Sequence, residues 1–374
     1  MSNKGFGERI DGRVWWDVPT KRKKTLEGFE AARAAFQTRR YFLEETQTQE
    51  PTPAEGARGL QRAFCRHWQS RWVKSYTSDA SVGPVAKAEI RKRQGAAFEK
   101  RNTRMIRKRL GQAFDGLTAG ETFELNRDFA RPFSFMTAAD LLGLDLEPDL
   151  CHRAAEAGDL QIAQESAPED KYPSYRALQS LHRAITTCLD TGGVADGGLM
   201  AWLLDLEQAR NLDRDFSVMS AANLLAGSVT LGTALAICLD QILKSPALLQ
   251  CREADLPQLI DEILRLAPPA RNVRLMGQSA EEGTPELLSF NVARANRDPA
   301  VFSCPHEISF DRPPHQHLSF GSGAHICDGV KLVRLSLKLA IPEIIQRAQG
   351  LKVWEVEKMI FHARFTDLTP SEMT

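Results

Sequence analysis

The sequence predicts a mainly α fold, a helical bundle with a smaller β-sheet portion. Apolar residues recur at three- and four-residue intervals in separated stretches, among them Leu60, Phe64, Trp68 and Trp72, and Val330, Val333, Leu337 and Ile341. A long run rich in Ala, Leu and Gly extends from Phe216 to Leu243. Strand-like segments such as Thr122-Phe-Glu-Leu are short by comparison. At 374 residues the chain is long enough to bury a substantial core, and 1–374 is read as a single domain.

Composition narrows the function classes. The 48 basic and 48 acidic residues cancel, so no strong net field draws the chain to nucleic acid or to a charged surface. Seven irregularly spaced cysteines argue against a disulfide scaffold and for a reducing interior. The N-terminus lacks the apolar run of a signal peptide, and no charge-free apolar stretch is read as membrane-spanning. A cytoplasmic protein without membrane or nucleic-acid partners is expected.

In chain order, the first sixty residues are polar, with Trp15, Trp16 and Phe42 as isolated anchors and a turn-rich loop from Gln47 to Gly59. The helix carrying Leu60 to Trp72 has His67 and Arg71 four residues apart on a neighbouring face. Residues Ala88 to Leu110 make up a strongly basic, helix-forming segment; without interleaved aromatics its charges read as a solvated helix face. Ala130 to Leu144 is a packing helix with a glycine stop at Gly143. Pro148 to Gly198 is helical but broken at Pro168, Pro173 and Gly192-Gly193, and is expected among the more mobile parts.

The apolar run Phe216 to Leu243 has the composition of a membrane span. Asn223, Ser228, Thr230, Thr233 and Asp240 interrupt it, which points to a buried central helix. Glu262 and Arg265 lie one helical turn apart before Pro268-Pro269, and Gly277 to Leu287 reads as an irregular hairpin. Ala293-Arg-Ala-Asn-Arg-Asp-Pro-Ala-Val-Phe302 is taken as structural.

The chain is organised around Leu318-Ser-Phe-Gly-Ser-Gly-Ala-His-Ile-Cys-Asp-Gly329. A helix begins just after Cys327, so its sulfur sits near a positive helix end, where a thiolate metal ligand is favoured. Gly321, Gly323 and Gly329 bring backbone N–H groups towards that sulfur. A zinc site is the rival reading, because Cys304, His306, His315, His317, His325 and Cys327 crowd one region. Its usual two-to-four residue ligand gaps are absent, and zinc leaves the glycines unexplained.

The pattern Phe320-Gly-x-Gly-x-His325-x-Cys327-x-Gly329 resembles the haem-binding loop of the cytochromes P450. The resemblance implies the P450 fold, one haem b with Cys327 as its axial metal ligand, and Phe320, Gly321, His325 and Gly329 around the cofactor. His67-x-x-x-Arg71 is similar to the family's propionate-binding helix, and Arg274 matches a later propionate ligand. Ala226, Gly227 and Thr230 match the oxygen-side groove, while the acid that ordinarily precedes the threonine is replaced by Val229. Glu262, Arg265 and Arg312 match the network that locks the segment before the cysteine.

The implied activity is a haem-thiolate monooxygenase of secondary metabolism, acting on a small organic or natural-product substrate. Electrons would come from a ferredoxin-type partner docking near Lys331, Arg334 and Lys338. Val229 keeps open a peroxide-using enzyme or a haem reaction that consumes no oxygen. A non-catalytic P450-like or zinc-stabilised binding protein is the alternative from another class.

Overall fold

The computed structural model describes residues 22–37, 41–43, 57–72, 74–77, 82–93, 98–158, 171–278, 285–314, 316–355, 360–364 and 367–368. It begins with β1 (Arg22–Thr25), α1 (Phe29–Gln37), β2 (Tyr41–Leu43), α2 (Ala57–Trp72), α3 (Gly83–Arg93) and α4 (Phe98–Asp115). After β3 (Thr122–Glu124) and a π-helical turn come α5 (Arg131–Leu142), α6 (Leu150–Gly158), α7 (Tyr172–Asp190) and α8 (Leu199–Arg210). The central helix is split into α9 (Arg214–Gly227) and α10 (Val229–Leu243), and the short α11 (Pro246–Leu249) and α12 (Leu256–Leu266) follow. The remainder is β4 (Asn272–Gln278), β5 (Pro285–Asn291), α13 (Val292–Ala295), α14 (Val330–Arg347), β6 (Ala348–Gln349), β7 (Lys352–Glu355), β8 (Phe361–Arg364) and β9 (Asp367–Leu368).

Helices dominate, as the periodicity predicts, and the strands form small sheets: β1-β5-β4-β2, β3-β8-β7 and β6-β9. The hairpin from β4 to β5 pairs as an antiparallel ladder from Asn272 opposite Asn291 to Gln278 opposite Pro285, while the middle of the stretch read as irregular, residues 279–284, lies outside the described residues. The basic, helix-forming stretch is divided between two helices, α3 ending at Arg93 and α4 starting at Phe98. Buried Ile90 belongs to one core and buried Ile106 to another, so packing separates what charge composition joins.

The pair α9 and α10 together form a helix of 30 residues, long and apolar enough to cross a membrane by those criteria alone. Its length departs from the expectation that no stretch approaches a span. Burial within the protein decides the question: Phe216 to Leu225 and Leu231 to Leu239 are largely covered by neighbouring helices. One apolar core ends on this helix at Ala226 and a second begins at Leu231. Gly227, Ser228, Val229 and Thr230, between them, are only half-buried. A third core packs α1 against β4, β5 and Phe302.

Candidate functional site

The cysteine loop is fixed from its first residue. Asn296 is completely buried; its side chain accepts from the Leu318 N–H at 2.8 Å and donates to the Arg265 carbonyl and the Ser319 hydroxyl. Ser319 in turn donates to the Leu264 carbonyl. The segment Ala293 to Phe302 is therefore a brace that transmits the position of α12 to the loop. Asn296 was not singled out in the sequence, where a buried asparagine looks like any other.

Glu262 and Arg265 form the other half of that brace. Their ion pair is 2.8 Å long and almost wholly buried, and Arg312 joins through a 3.0 Å contact to the same carboxylate. Arg265 also donates to the carbonyls of Asn296, Pro305 and Glu307. Burial by itself would raise the Glu262 pKa, but Arg265, the Ser309 N–H and Arg312 outweigh it and hold the carboxyl below its ordinary value.

Within the loop, Gly321 and Gly323 have φ of +67° and +56°, the left-handed region that glycine tolerates. A Cβ on Gly321 would collide with the His325 carbonyl, and one on Gly323 would lie 2.8 Å from Gln37 Cα at the end of α1. These two glycines thus serve the turn and its seat against α1. Of the three, Gly329 is the one whose N–H bonds the sulfur. The Cys327 N–H donates to the Phe320 carbonyl at 2.7 Å, closing the loop before α14.

Burial pushes the Cys327 thiol up to about 11; the Gly329 N–H, Lys87 and Arg334 oppose this, and Asp328 adds to it. Position near a helix start alone does not make the thiolate, contrary to the sequence reading, because desolvation dominates. Its deprotonation at neutral pH requires a cation at the sulfur, as a metal supplies.

His67 and Arg71, the pair expected to bind propionates, have other neighbours in this structure. His67 is exposed, and Arg71 contacts His182 at 3.1 Å, Asp215 at 3.4 Å and the Trp68 ring. Both line a cleft with Lys74, His182, Asp213 and Asp215, outside the cysteine loop. The cations that reach the loop come from the basic stretch read as solvated. Lys87 on α3 donates to the Ala324 carbonyl at 3.4 Å, and Lys87 and Arg91, one turn apart, both act on Asp328. A Lys-x-x-x-Arg spacing was legible there but was absorbed into the general basicity. Arg274 lies on β4 opposite Ser289, and its side chain falls outside the described part.

Asp215 is itself a hub joining α2, α7 and α9. The His182 contact, then Lys74 and Arg71, overcome the effect of burial and lower its carboxyl to about 2. Its folded pKa lies below the unfolded value, so its stabilisation is full above about pH 4 and lost as pH falls through 2. Asp215→Asn should therefore destabilise the protein by about 2 kcal/mol near neutral pH. Urea unfolding at pH 7 checks this, with amide exchange in α2 accelerated as its tether is lost.

The central helix has a local break where α9 and α10 meet. Ser228 donates its hydroxyl to the Leu225 carbonyl at 2.6 Å, and Thr230 donates to Gly227 at 2.8 Å. Such back-bonding hydroxyls loosen a helix locally. A Cβ on Gly158 of α6 would approach the Ala226 carbonyl to 3.2 Å and the Val229 methyl to 3.8 Å, so an apolar wall stands where an acid was expected.

Among the described residues, no three His, Cys, Asp or Glu side chains converge on a metal position. His315 lies outside them, Cys304 is exposed, and His317 faces Asp261 and accepts from the Ser319 N–H. A lone half-buried thiol does not supply the four ligands of structural zinc, but it suits a metal whose other ligands come from a cofactor. The half-buried loop and helix break, with Lys87 and Arg91 near the loop, also suit a flat cofactor carrying carboxylates.

No protein-family model matches the chain. It is 26% identical over 293 residues to nocardicin C N-oxygenase of Nocardia uniformis subsp. tsuyamanensis, covering 73% of this chain and 72% of the relative. It is 39% identical over 108 residues to cytochrome P450 119 of Sulfolobus acidocaldarius, a match spanning 27% of this chain and 29% of that protein. A solved P450 heme domain from Tepidiphilus thermophilus superposes with a TM-score of 0.75 at 15% identity, covering 91% of this chain and 88% of the other.

Proposed function

We propose that the chain is a member of the cytochrome P450 family, in which residues 1–374 form one haem domain, a haem-thiolate monooxygenase of a small organic or natural-product molecule. The observation that carries this reading is the half-buried thiol of Cys327, bonded by the Gly329 N–H and near the cations Lys87 and Arg334, with no cluster of three metal-ligating side chains among the described residues. Haem b, when bound there, supplies the redox and oxygen chemistry. Cys327 would ligate its iron; His325, Arg274, Lys87 and Arg91 would hold its propionates, the last two replacing His67 and Arg71 in that role. Phe320, Gly321 and Gly329 shape the sulfur side, while Ala226 and Gly227 leave space on the oxygen side.

Thr230 presents a hydroxyl that can pass a proton once it releases the Gly227 carbonyl. Val229 cannot relay one. That replacement supports a second reading, in which peroxide or a non-oxygenating reaction takes the place of reductive turnover.

Electrons are assigned to a ferredoxin-type partner. Of the three cations expected to receive it, Arg334 is paired with Asp261 and stacked on Phe320 at 4.9 Å, and Lys338 is paired with Glu99. Lys331 is exposed on the same helix, and exposed Lys100, Arg101 and Arg104 on the adjoining α4 extend the basic surface. Charge complementarity of this kind sets encounter rate more than affinity.

A strongly red-shifted Soret band of the haem-loaded, reduced protein under carbon monoxide is the expected test result; its absence overturns the haem-thiolate assignment. Thr230→Ala should cut ferredoxin-driven turnover by about 10²-fold or more. An unchanged rate alongside efficient peroxide turnover would favour the second reading.

Haem titration tests the reassigned cations. Lys87→Met should weaken haem binding about 10- to 100-fold, from the ~1.5–3 kcal/mol of a hydrogen bond to a charged group. Arg71→Met should leave it near the parent value.

A further inference from the structure

The cleft between α2, α7 and α9 takes no part in holding the haem, yet its volume of about 480 Å³ admits a small organic molecule. Arg71 lines it from α2, and His182 and Thr186, one turn apart, line it from α7. The acids of the cleft are already engaged: Lys74 bonds Asp213 at 2.9 Å and Asp215 at 3.1 Å.

Arg71 is engaged through one nitrogen only. Its Nη1 lies 3.1 Å from His182 Nε2 and 3.4 Å from Asp215 Oδ1, and the guanidinium is held over the Trp68 ring at 5.3 Å. The Nε–Nη2 edge supplies the parallel donors that grip a carboxylate, and it has no partner among the described residues. Thr186 adds a second unmet group, because its hydroxyl is buried and has no hydrogen-bond partner among the described residues.

We propose that this cleft is a second ligand site, for a small molecule bearing one carboxylate, which the Arg71 edge grips while the Thr186 hydroxyl donates to an oxygen of the same ligand. A phosphate dianion fits less well. Asp215 stands 3.4 Å from Arg71 and is kept ionised by its cations, so it opposes a further negative charge. From Asp215 to Ala226 the helix runs about 17 Å at 1.5 Å per residue, so a small acid seated here leaves the oxygen-side groove open. Such a ligand bridges α2 and α7 and protects both from local opening.

The test is equilibrium dialysis of radiolabelled benzoate against the haem-loaded full chain, with inorganic phosphate as the second probe. Benzoate should bind saturably and slow amide exchange in α2 and α7. Phosphate should bind about tenfold more weakly. Arg71→Met and Arg71→Lys should each weaken benzoate binding by about tenfold or more, the second because an ammonium keeps the charge but not the planar fork. Thr186→Val, which replaces the hydroxyl by a methyl, should weaken it severalfold.

Benzoate uptake that both Arg71 variants leave unchanged overturns the proposal. So does the lack of saturable benzoate binding, or phosphate binding as tight as that of benzoate. Should Arg71→Met loosen α2, Arg71→Lys and Thr186→Val decide it. The site lies apart from Cys327, so the carbon monoxide band tests the haem-thiolate reading separately.

Discussion

Glu262→Gln is expected to destabilise the protein by about 3–5 kcal/mol, the cost of breaking a buried ion pair from one side. Arg265 is only 1% exposed at its side chain and Arg312 8%, so neither can turn to water for compensation. The damage extends beyond the pair. Arg265 ties together the carbonyls of Asn296, Pro305 and Glu307, and Asn296 seats the first residue of the cysteine loop. A loss of that size is a large fraction of the stability of an ordinary domain, so soluble yield and haem retention should fall together.

Urea midpoints of parent and variant supply the measurement, and a difference below 1 kcal/mol would remove Glu262 from the role given to it. pH adds an independent check. Glu262 titrates below its ordinary value when folded, so its contribution is complete above about pH 4.5 and disappears as pH falls through the folded pKa. The gap between parent and Glu262→Gln should therefore close in acid.

Cys327→Ser should leave the fold standing and remove the chemistry. The sulfur is held by the Gly329 N–H, and the loop by backbone bonds that a serine preserves, including the 2.7 Å contact from the residue 327 N–H to the Phe320 carbonyl. A hydroxyl is far less acidic than a thiol and a weaker ligand for this purpose, so the electron donation characteristic of thiolate ligation is lost. Turnover should drop by several orders of magnitude, and the reduced carbon monoxide complex should lose its strong red shift. A red-shifted band persisting in Cys327→Ser would mean that another residue ligates the iron.

The sequence by itself determined the mainly helical class, because the apolar repeats at three and four residues are local and survive in α2, α9, α10 and α14. It also determined the cysteine loop and the Glu262, Arg265 and Arg312 set. Those motifs are written in contiguous or regularly spaced residues, and their glycines and charges have few other uses. Even the glycine stop at Gly143 was legible, and its φ of +75° is the reason for the residue type.

Only the tertiary structure shows which cations lie near the cysteine loop. His67 and Arg71 have the expected spacing, yet Asp215, 144 residues further along, claims Arg71, while Lys87 and Arg91 turn towards Ala324 and Asp328. Spacing along a helix says which side chains share a face, not what that face meets. The same holds for the Cys327 thiol, where a helix start predicted a lowered pKa and burial raised it, since desolvation depends on every neighbour. Asn296 and Gly158 act through partners far away in sequence, and only packing brings them to the groups they control.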